Sequence, residues 1–584
     1  MLILIFLAFL IFAPEIHVRL NQVGFAPGDP KSAVVFGHEA LPAEFRIVSV
    51  PAGSTVFTGK IKPITGSWGQ FDCHGEIDFS AFAREGSYVV EVGSARSPQF
   101  RIVRNVSSQI PDQLLEFMRQ QRCGYNPYVD AVCHSFDGRT AFGPEPPGTY
   151  INASGGWHDA GDQLKYLLTS SNATAQMLLA YELAKHNPPA FADNFNNLGQ
   201  PGANNTPDIL DEALWGLTWM LRLHPKPDQL YHQVADDRDH KGFRLPQNET
   251  VDYGWGPGSY RVVYFADGQP QGLREYKSES NGVANLAGRY AAAMALGHQI
   301  WKDDPRLHSF AQTLLQASRE VYALGQAKEG VQQGNSYSAP YRYAETTWAD
   351  DMEWGAAELF RATRDARYLR DAKRYAQLAR DESWMGKDEA GHYQYYPFMN
   401  IGHFRLYDLV DFKTKRQLAN FYHEQIERCI KRGQTNPYGI GVPFIWCSNN
   451  LVVAFATQTL LYERMTGDKH YRQFTAKQID WLLGRNPWGV SMFTGIPAEG
   501  VYPKDVHLFT NALMKKMVRG GLVDGPVYRK VFQSLRGVSI REPDPLAAFQ
   551  DERAVYHDDI NDYSTNEPTM DGTASAILLF VLGA

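Results

Sequence analysis

The 584-residue sequence predicts a small antiparallel β-sandwich followed by a large all-helical domain. Three observations carry that reading. Short β-prone runs separated by Gly, Pro and Asp turns fill residues 17–103. Near residue 106 the texture changes to long segments of helical periodicity. Connections of related form, 363-TRDARY-368 and 466-TGDKHY-471, join one amphipathic segment to the next, as in stacked helical hairpins. The chain exceeds one ordinary core of ~100–200 residues, so a large domain with an accessory module is the expected division.

In chain order, residues 1–13, MLILIFLAFLIFA, form an apolar run of the length of a signal-peptide core, too short to span a bilayer comfortably. It predicts export, secreted or periplasmic, with 1–14 as the signal segment. No Lys or Arg precedes the run, so retention as an uncleaved anchor is the alternative. The runs VRLNQVGF, SAVVFG, EFRIVSV, GSYVVEVG and PQFRIVR supply the strands of a sandwich over 15–105. From 106 to 584 helices are expected at 111–122, 167–186, 207–224, 282–301, 305–325, 348–361, 366–382, 413–432, 450–466, 471–483 and 569–582. In 206-TPDILDEALWGLTWMLRLH-224, Thr206 is placed to cap and Pro207 to take the first helical position, while Ile209, Ala213, Leu217 and Met220 share a face. About a dozen such helices suffice to close a ring, which leaves its chemistry to the long loops 124–160, 225–280, 383–412 and 484–568.

Charge and composition narrow the partners. With 57 basic against 64 acidic residues and no basic block, the net charge of −7 gives no electrostatic footing for nucleic acid. An uncharged substrate fits better. Aromatics make up 13% of the chain, which suits a cleft that stacks the apolar faces of sugar rings as well as it suits core packing. A single chain, acting as a monomer, is expected.

The stretch 155-GGWHDAGDQLKY-166 crowds His158, Asp159 and Asp162 between a glycine pair and an expected helix start. Two carboxylates this close either cap that helix or serve a metal or a reacting water. A partner acid stands in 556-YHDDINDYSTNEPTMDG-572, where Glu567 lies just ahead of the last helix, again at a loop-to-helix junction. Taken alone each is a capping acid; together they suit paired acid–base chemistry.

The blocks GGWHDAGD, 486-NPWGVSMFTG-495, 520-GGLVDGP-526 and 562-DYSTNEPTMDGTA-574 resemble those of glycoside hydrolase family 9, the inverting β-glucanases called cellulases. The segment 17-HVRLNQVGFAPGDPKSAVV-35 resembles the opening strand of the immunoglobulin-like module found in one subgroup of that family. The resemblance implies an immunoglobulin-like sandwich followed by an (α/α)6 barrel. It implies endo-acting hydrolysis of a β-1,4-glucan such as cellulose, by single displacement. Asp162 would be the general base, Asp159 would help to hold the water, and Glu567 would be the general acid. Both aspartates are then expected to be ionised at the positive end of the helix after Gly161, and Glu567 to be kept protonated by burial and neighbouring charge.

The resemblance also bears on metals. On spacing alone Cys123 and Cys133 read as a disulfide, with His134 and His158 incidental; members of the resembled subgroup implicate these four positions in a structural zinc. Asp350 and Asp351, in 345-ETTWADDMEW-354, resemble a calcium-binding stretch or are the solvated first turn of a helix. Cys73, Cys429 and Cys447 read as core residues. Trp157, Trp255, Trp348 and Tyr563 are candidate sugar-stacking platforms or packing residues. The family's usual His-His-Arg cluster is reduced in 503-PKDVHLFTN-511 to His507. Substrate preference therefore does not carry over, and xyloglucan, mixed-linkage glucan or a glucosamine-containing chain remain alternatives. Outside this class, a polysaccharide lyase or a non-catalytic glycan-binding protein is the competing reading.

Overall fold

The computed structural model describes residues 16–184, 191–258 and 260–583; the expected signal segment lies outside them. Nine strands build the N-terminal module: β1 (Ile16–Leu20), β2 (Ser32–Gly37), β3 (Glu44–Ser49), β4 (Thr55–Lys60), β5 (Lys62–Ile64), β6 (Cys73–Asp78), β7 (Gly86–Val92), β8 (Ala95–Arg96) and β9 (Phe100–Ile102). They form two antiparallel sheets, β1-β2-β6-β5 and β4-β3-β7-β8, with β9 also paired to β7. Successive side chains of a strand point to opposite faces. In β2, Ala33 and Val35 therefore enter the sandwich core with Val18, Ile47 and Val90, while Val34 and Phe36 turn toward the helical domain. Both faces of β2 are buried for that reason.

The seam between the two parts is a packed core. Trp68 is fully buried among Tyr438, Phe444, Trp481 and Trp488, with ring centroids 5.3–6.4 Å away. Its indole N–H donates to the Phe549 carbonyl at 3.0 Å. Asn21 Nδ2 donates to Asp480 Oδ1 at 2.8 Å, and Lys477 meets Glu76 at 2.5 Å.

The helical domain runs α1 (Ile110–Gln120), α2 (Leu167–Ala184), α3 (Asp208–Arg222), α4 (Ala284–Trp301), α5 (His308–Ala327), α6 (Ala349–Thr363), α7 (Ala366–Leu378), α8 (Ile401–Tyr407), α9 (Phe412–Gly433), α10 (Ser448–Thr466), α11 (Arg472–Leu482), the short α12 (Phe509–Met514) and α13 (Arg529–Ser534), and α14 (Met570–Leu582). Helices α2, α4, α6, α8, α10 and α14 each pack on the next, and α14 closes the ring on α2. Helices α1, α3, α5, α7, α9 and α11 cover them from outside. This is the expected (α/α)6 barrel.

Residue pattern explains which helix goes where. Nearly all of α4 is buried, as an inner helix requires, and Gly288 lets it approach α6 so closely that a Cβ would lie 2.4 Å from the Asp351 carbonyl oxygen. In α7 only Tyr368, Ala372, Tyr375 and Ala376 are buried, one stripe at i, i+4, i+7 and i+8. One expected helix start shifts. Helix α3 begins at Asp208, with Pro207 at the N-cap and Thr206 outside it. Helix α2 begins at Leu167 as expected, and the two residues before it, Lys165–Tyr166, pair with the strand Tyr231–Val234, where buried Lys165 bonds Asp137 at 2.8 Å.

Candidate active site

The turn that carries the DAGD run is fixed on one side by helix α1's exit. Cys123 N–H donates to the Gly156 carbonyl and His158 N–H to the Gln121 carbonyl, both at 2.8 Å, so 121–123 and 156–158 run antiparallel. This places His158 beside Cys123. A hairpin of Tyr125–Asn126 with Ala131–Val132 then returns Cys133 and His134 to the same spot, with Cys133 N–H on the Gly124 carbonyl at 2.9 Å. Cys123, Cys133, His134 and His158 are all buried, with one donor atom from each lying within 4.8 Å of every other.

Those distances discriminate between the two readings of the cysteines. The sulfurs stand 4.0 Å apart and both thiols are free, so there is no disulfide. A tetrahedral ion with ~2.3 Å bonds to sulfur and ~2.05 Å bonds to nitrogen needs edges of ~3.8 Å for S–S, ~3.6 Å for S–N and ~3.3 Å for N–N. The corresponding separations are 4.0 Å, 3.6 and 3.8 Å, and 3.3 Å. These four of the six edges lie close to the tetrahedral values, and all the donor atoms lie within 4.8 Å of one another, so the set suits a four-coordinate metal. Glu249 Oε2, 3.4 Å from His134 Nε2 and itself bound by Arg244, completes the support of that imidazole.

One residue after this cluster, Asp159 is buried inside the barrel mouth. Its Oδ1 accepts from Thr169 at 2.6 Å and its Oδ2 from the Tyr343 hydroxyl, while its carbonyl accepts from Met570 N–H at 2.9 Å. Burial, with the charges of Asp571 and Asp162 adding to it, pushes the Asp159 carboxyl well above the usual carboxylate range despite those donors. Burial and these neighbouring charges thus work against the expectation that Asp159 stays ionised ahead of α2. Asp162 is more open, its side chain 16% exposed. Its Oδ1 closes a local turn with Leu164 N–H at 3.0 Å, and its Oδ2 meets His240 Nε2 at 3.1 Å. Burial opposes a charge on His240, but the hydrogen bond with Asp162 and the charges of Asp162, Asp239 and Asp237 raise its pKa overall.

Glu567 reaches the same turn from 406 residues away: Gly161 N–H donates to its Oε1 at 2.8 Å. Only glycine permits this approach, since a Cβ at 161 would lie 2.5 Å from Glu567 Oε1 and 2.3 Å from the His507 carbonyl oxygen. Burial first, and then the charges of Asp524, Asp162 and Asp159, push Glu567 well above the ordinary carboxyl range. Two acids with different environments thus flank one point, the arrangement needed for a base on one side and a proton donor on the other.

The wall between them is aromatic. Tyr563 lies over Trp446 (5.8 Å), Trp446 meets His392 (5.1 Å) and Tyr341 (5.6 Å), and Tyr341 meets His240 (5.6 Å). His507 joins at the acid end, its ring 4.6 Å from Phe243 and 6.0 Å from Tyr563, and its Nδ1 donates to the Ile560 carbonyl at 2.6 Å. Of the sequence-predicted platforms, Tyr563 is here, beside His507 of the reduced cluster. Trp157 is not a platform: it is fully buried and spends its indole N–H on Glu212 at 2.7 Å. Trp348 packs edge-on to Tyr375, and Trp255 lies over Gly148. His240, Tyr341, Tyr343, His392, Trp446 and Asp524 were not singled out from the sequence. Cys447, read as a core residue, is buried but bonds Asp524 through its thiol at 3.3 Å.

Asp350 and Asp351 open α6 and are buried rather than solvated. Arg289 binds Glu345 through two nitrogens at 2.7 and 2.8 Å and Asp351 at 3.1 Å. Asp350 Oδ1 and Asp351 Oδ2 have no hydrogen-bond partner.

Comparison with known proteins gives this geometry a place. Residues 108–580 match Glycosyl hydrolase family 9, and residues 13–97 match the cellulase N-terminal ig-like domain. The xyloglucan-specific endo-beta-1,4-glucanase of Bacteroides ovatus is 27% identical over 88% of this chain and 86% of its own length. Endoglucanase C of Cellulomonas fimi is 25% identical over 95% of this chain, which spans about half (50%) of that relative. A crystal structure described as a Zn-binding triple mutant of GH family 9 endoglucanase J30 superposes with a TM-score of 0.75 at 25% identity, covering 95% of this chain and 99% of that one. The chain belongs to glycosyl hydrolase family 9.

Proposed function

We propose that this glycoside hydrolase cleaves internal β-1,4 bonds of a glucan by a single displacement with inversion. Asp162 takes a proton from a water as that water attacks the anomeric carbon, Asp159 helps to hold the water, and Glu567 gives its proton to the departing glycosidic oxygen. The observation that supports this most is the meeting of Glu567 with the Asp159–Asp162 turn at Gly161, with Glu567 in surroundings that favour its protonated form. The aromatic wall from Tyr563 to Tyr341 suits stacked sugar faces. The relatives' names point to β-1,4-glucan, and one of them to xyloglucan; the reduced cluster at His507 leaves both within reach.

The test is a pair of variants assayed for reducing-sugar release on a panel of cellulosic, mixed-linkage and xyloglucan substrates. Asp162→Asn and Glu567→Gln should each lose about 10²–10⁴ in rate while remaining folded. A leaving group that needs no proton should partly rescue Glu567→Gln but not Asp162→Asn. Near wild-type turnover of either variant on an unactivated glucan would overturn the assignment.

The Cys123, Cys133, His134 and His158 set is assigned to one structural zinc: thiolate and imidazole donors at tetrahedral spacing favour it, and four protein ligands leave no open position for catalysis. Glu345, Asp350, Asp351 and Glu382 are assigned to a calcium ion. Burial pushes up all four carboxyls, neighbouring acids add to this at Asp350, Asp351 and Glu382, and Asp350 Oδ1 and Asp351 Oδ2 have no hydrogen-bond partner. Calorimetric titration with Ca²⁺ should show one site in the chelator-treated protein and none in Asp351→Asn; no binding to the wild-type chain would remove calcium from the account.

A further inference from the structure

The residue facing the proposed acid across the chain is itself a carboxylic acid. Strands Leu522–Val523 and Pro568–Thr569 pair antiparallel, Leu522 with Thr569 and Val523 with Pro568. The same register continued by one step sets Asp524 opposite Glu567, and Asp524 N–H does donate to the Glu567 carbonyl at 2.9 Å. Directly opposed residues of an antiparallel pair project from the same face with Cβ atoms about 4.5–5.5 Å apart, where like charges repel. Asp524 is buried, 1% exposed, and both its oxygens have donors: the Trp446 indole at 2.9 Å and the Cys447 thiol at 3.3 Å. The strand is clamped from the same loop by Asn449, which donates N–H to the Asp524 carbonyl and Nδ2 to the Val523 carbonyl.

We propose that Asp524 is a positioning residue for the general acid: as a fixed carboxylate opposite Glu567, it keeps the proton on Glu567 until the glycosidic oxygen takes it. Burial pushes both carboxyls well above the usual range, so the donors decide which of the two holds the charge. Two hydrogen bonds to Asp524 stabilise its anion, whereas Glu567 receives one, at Oε1, leaving its other oxygen for the proton. After burial, Asp524 is the strongest influence raising Glu567, ahead of Asp162 and Asp159. The other charged or titratable groups around the pair are His240 on the 236–240 loop, His507 on the 503–508 segment, Tyr341, Asp562 in the turn before Glu567, and Asp571 on α14. Asp524 also fixes Trp446, so the same carboxylate aligns the aromatic wall with the acid.

The inference rests on Glu567 being the acid, and the experiment separates the two. The pH dependence of kcat/KM is measured for Asp524→Asn on a soluble β-glucan and on an aryl β-cellobioside whose leaving group needs no proton. Removing the facing charge lets Glu567 lose its proton earlier, so the alkaline limb on the glucan should move down by about one to two pH units, tenfold in rate for each unit above it. The acid limb, set by the base, should stay in place, and the aryl substrate should show no matching shift. Cys447→Ala, which removes one donor to Asp524, should move the limb the same way by less and serves if Asp524→Asn does not fold. A uniform loss of rate with an unmoved alkaline limb would show a merely structural role and overturn the inference. If that occurs while Glu567→Gln is inactive, the acid assignment survives; if Glu567→Gln hydrolyses glucan normally, the acid assignment itself falls.

Discussion

Replacing Cys133 by Ser removes one of the four donors of the proposed zinc site. The remaining Cys123, His134 and His158 cannot complete four-coordination, and a hydroxyl is a poor ligand beside a thiolate. An ion bound only by the folded chain, at a thousandfold excess over its Kd, adds about 4 kcal/mol. For 584 residues unfolding together, at roughly 2.1 cal/mol/K per residue, the unfolding entropy is about 1.2 kcal/mol/K, so losing that much lowers Tm by only about 3 °C. Melting is thus a weak reporter in a chain this long. Turnover is the stronger one, because His158 directly precedes Asp159, and a displacement of ~1 Å at the reacting groups costs on the order of 10²-fold. The assay is elemental analysis with thiol counting under denaturing, non-reducing conditions, followed by kcat at a temperature well below the variant's Tm. One zinc per wild-type chain, all five thiols free, and a metal-poor variant with reduced kcat are expected. A metal-free wild-type protein with Cys123 and Cys133 joined would refute the reasoning.

Three further outcomes follow from the geometry. The first product from a β-glucan should be the α-anomer, seen by proton NMR before mutarotation; an initial β-anomer would require carboxylates only ~5 Å apart and a covalent intermediate. Glu567→Gln should melt higher than wild type at neutral pH. A carboxyl raised in the folded state loses stability as pH climbs from its unfolded value of ~4.3 toward the folded one, so the difference should vanish below about pH 4, and a difference that persists there would place its cause elsewhere. Trp68→Ala should cost about 3–5 kcal/mol in denaturant titration, the range for emptying a fully buried aromatic site, whereas a cost below ~1 kcal/mol would mean that the sandwich docks loosely.

What was legible in the sequence follows the reach of each physical signal. Helical and strand periodicities are local, so the sandwich, the long helices and their pairing as hairpins could be anticipated. The DAGD run, Glu567 and the Cys–His set drew notice through the resemblance of their surrounding blocks to family 9, since taken alone the acids read as caps and the cysteines as a disulfide. The short strand before α2 was not legible: Lys165 and Tyr166 are paired with partners near residue 234, a tertiary contact with no local signature. His240 meets Asp162 across 78 residues and Asp524 meets Glu567 across a two-residue ladder, neither of which has a local signature. Trp157 misled because its place beside the motif suggests a cleft, while the buried Glu212, already bound to Arg122, takes its indole N–H into the interior.

The closure of the ring by α14 on α2 has a consequence for biosynthesis. Asp159 is pinned by Met570 and Gly161 by Glu567, so the proposed water-binding turn is completed by the last inner helix to leave the ribosome. A nascent chain that has folded five inner helices still has an open seam where its sixth belongs, and no proton donor. On the proposed roles, a C-terminally clipped chain would lack its proton donor, and completing the site requires one apolar helix to enter between neighbours that end more than a hundred residues earlier.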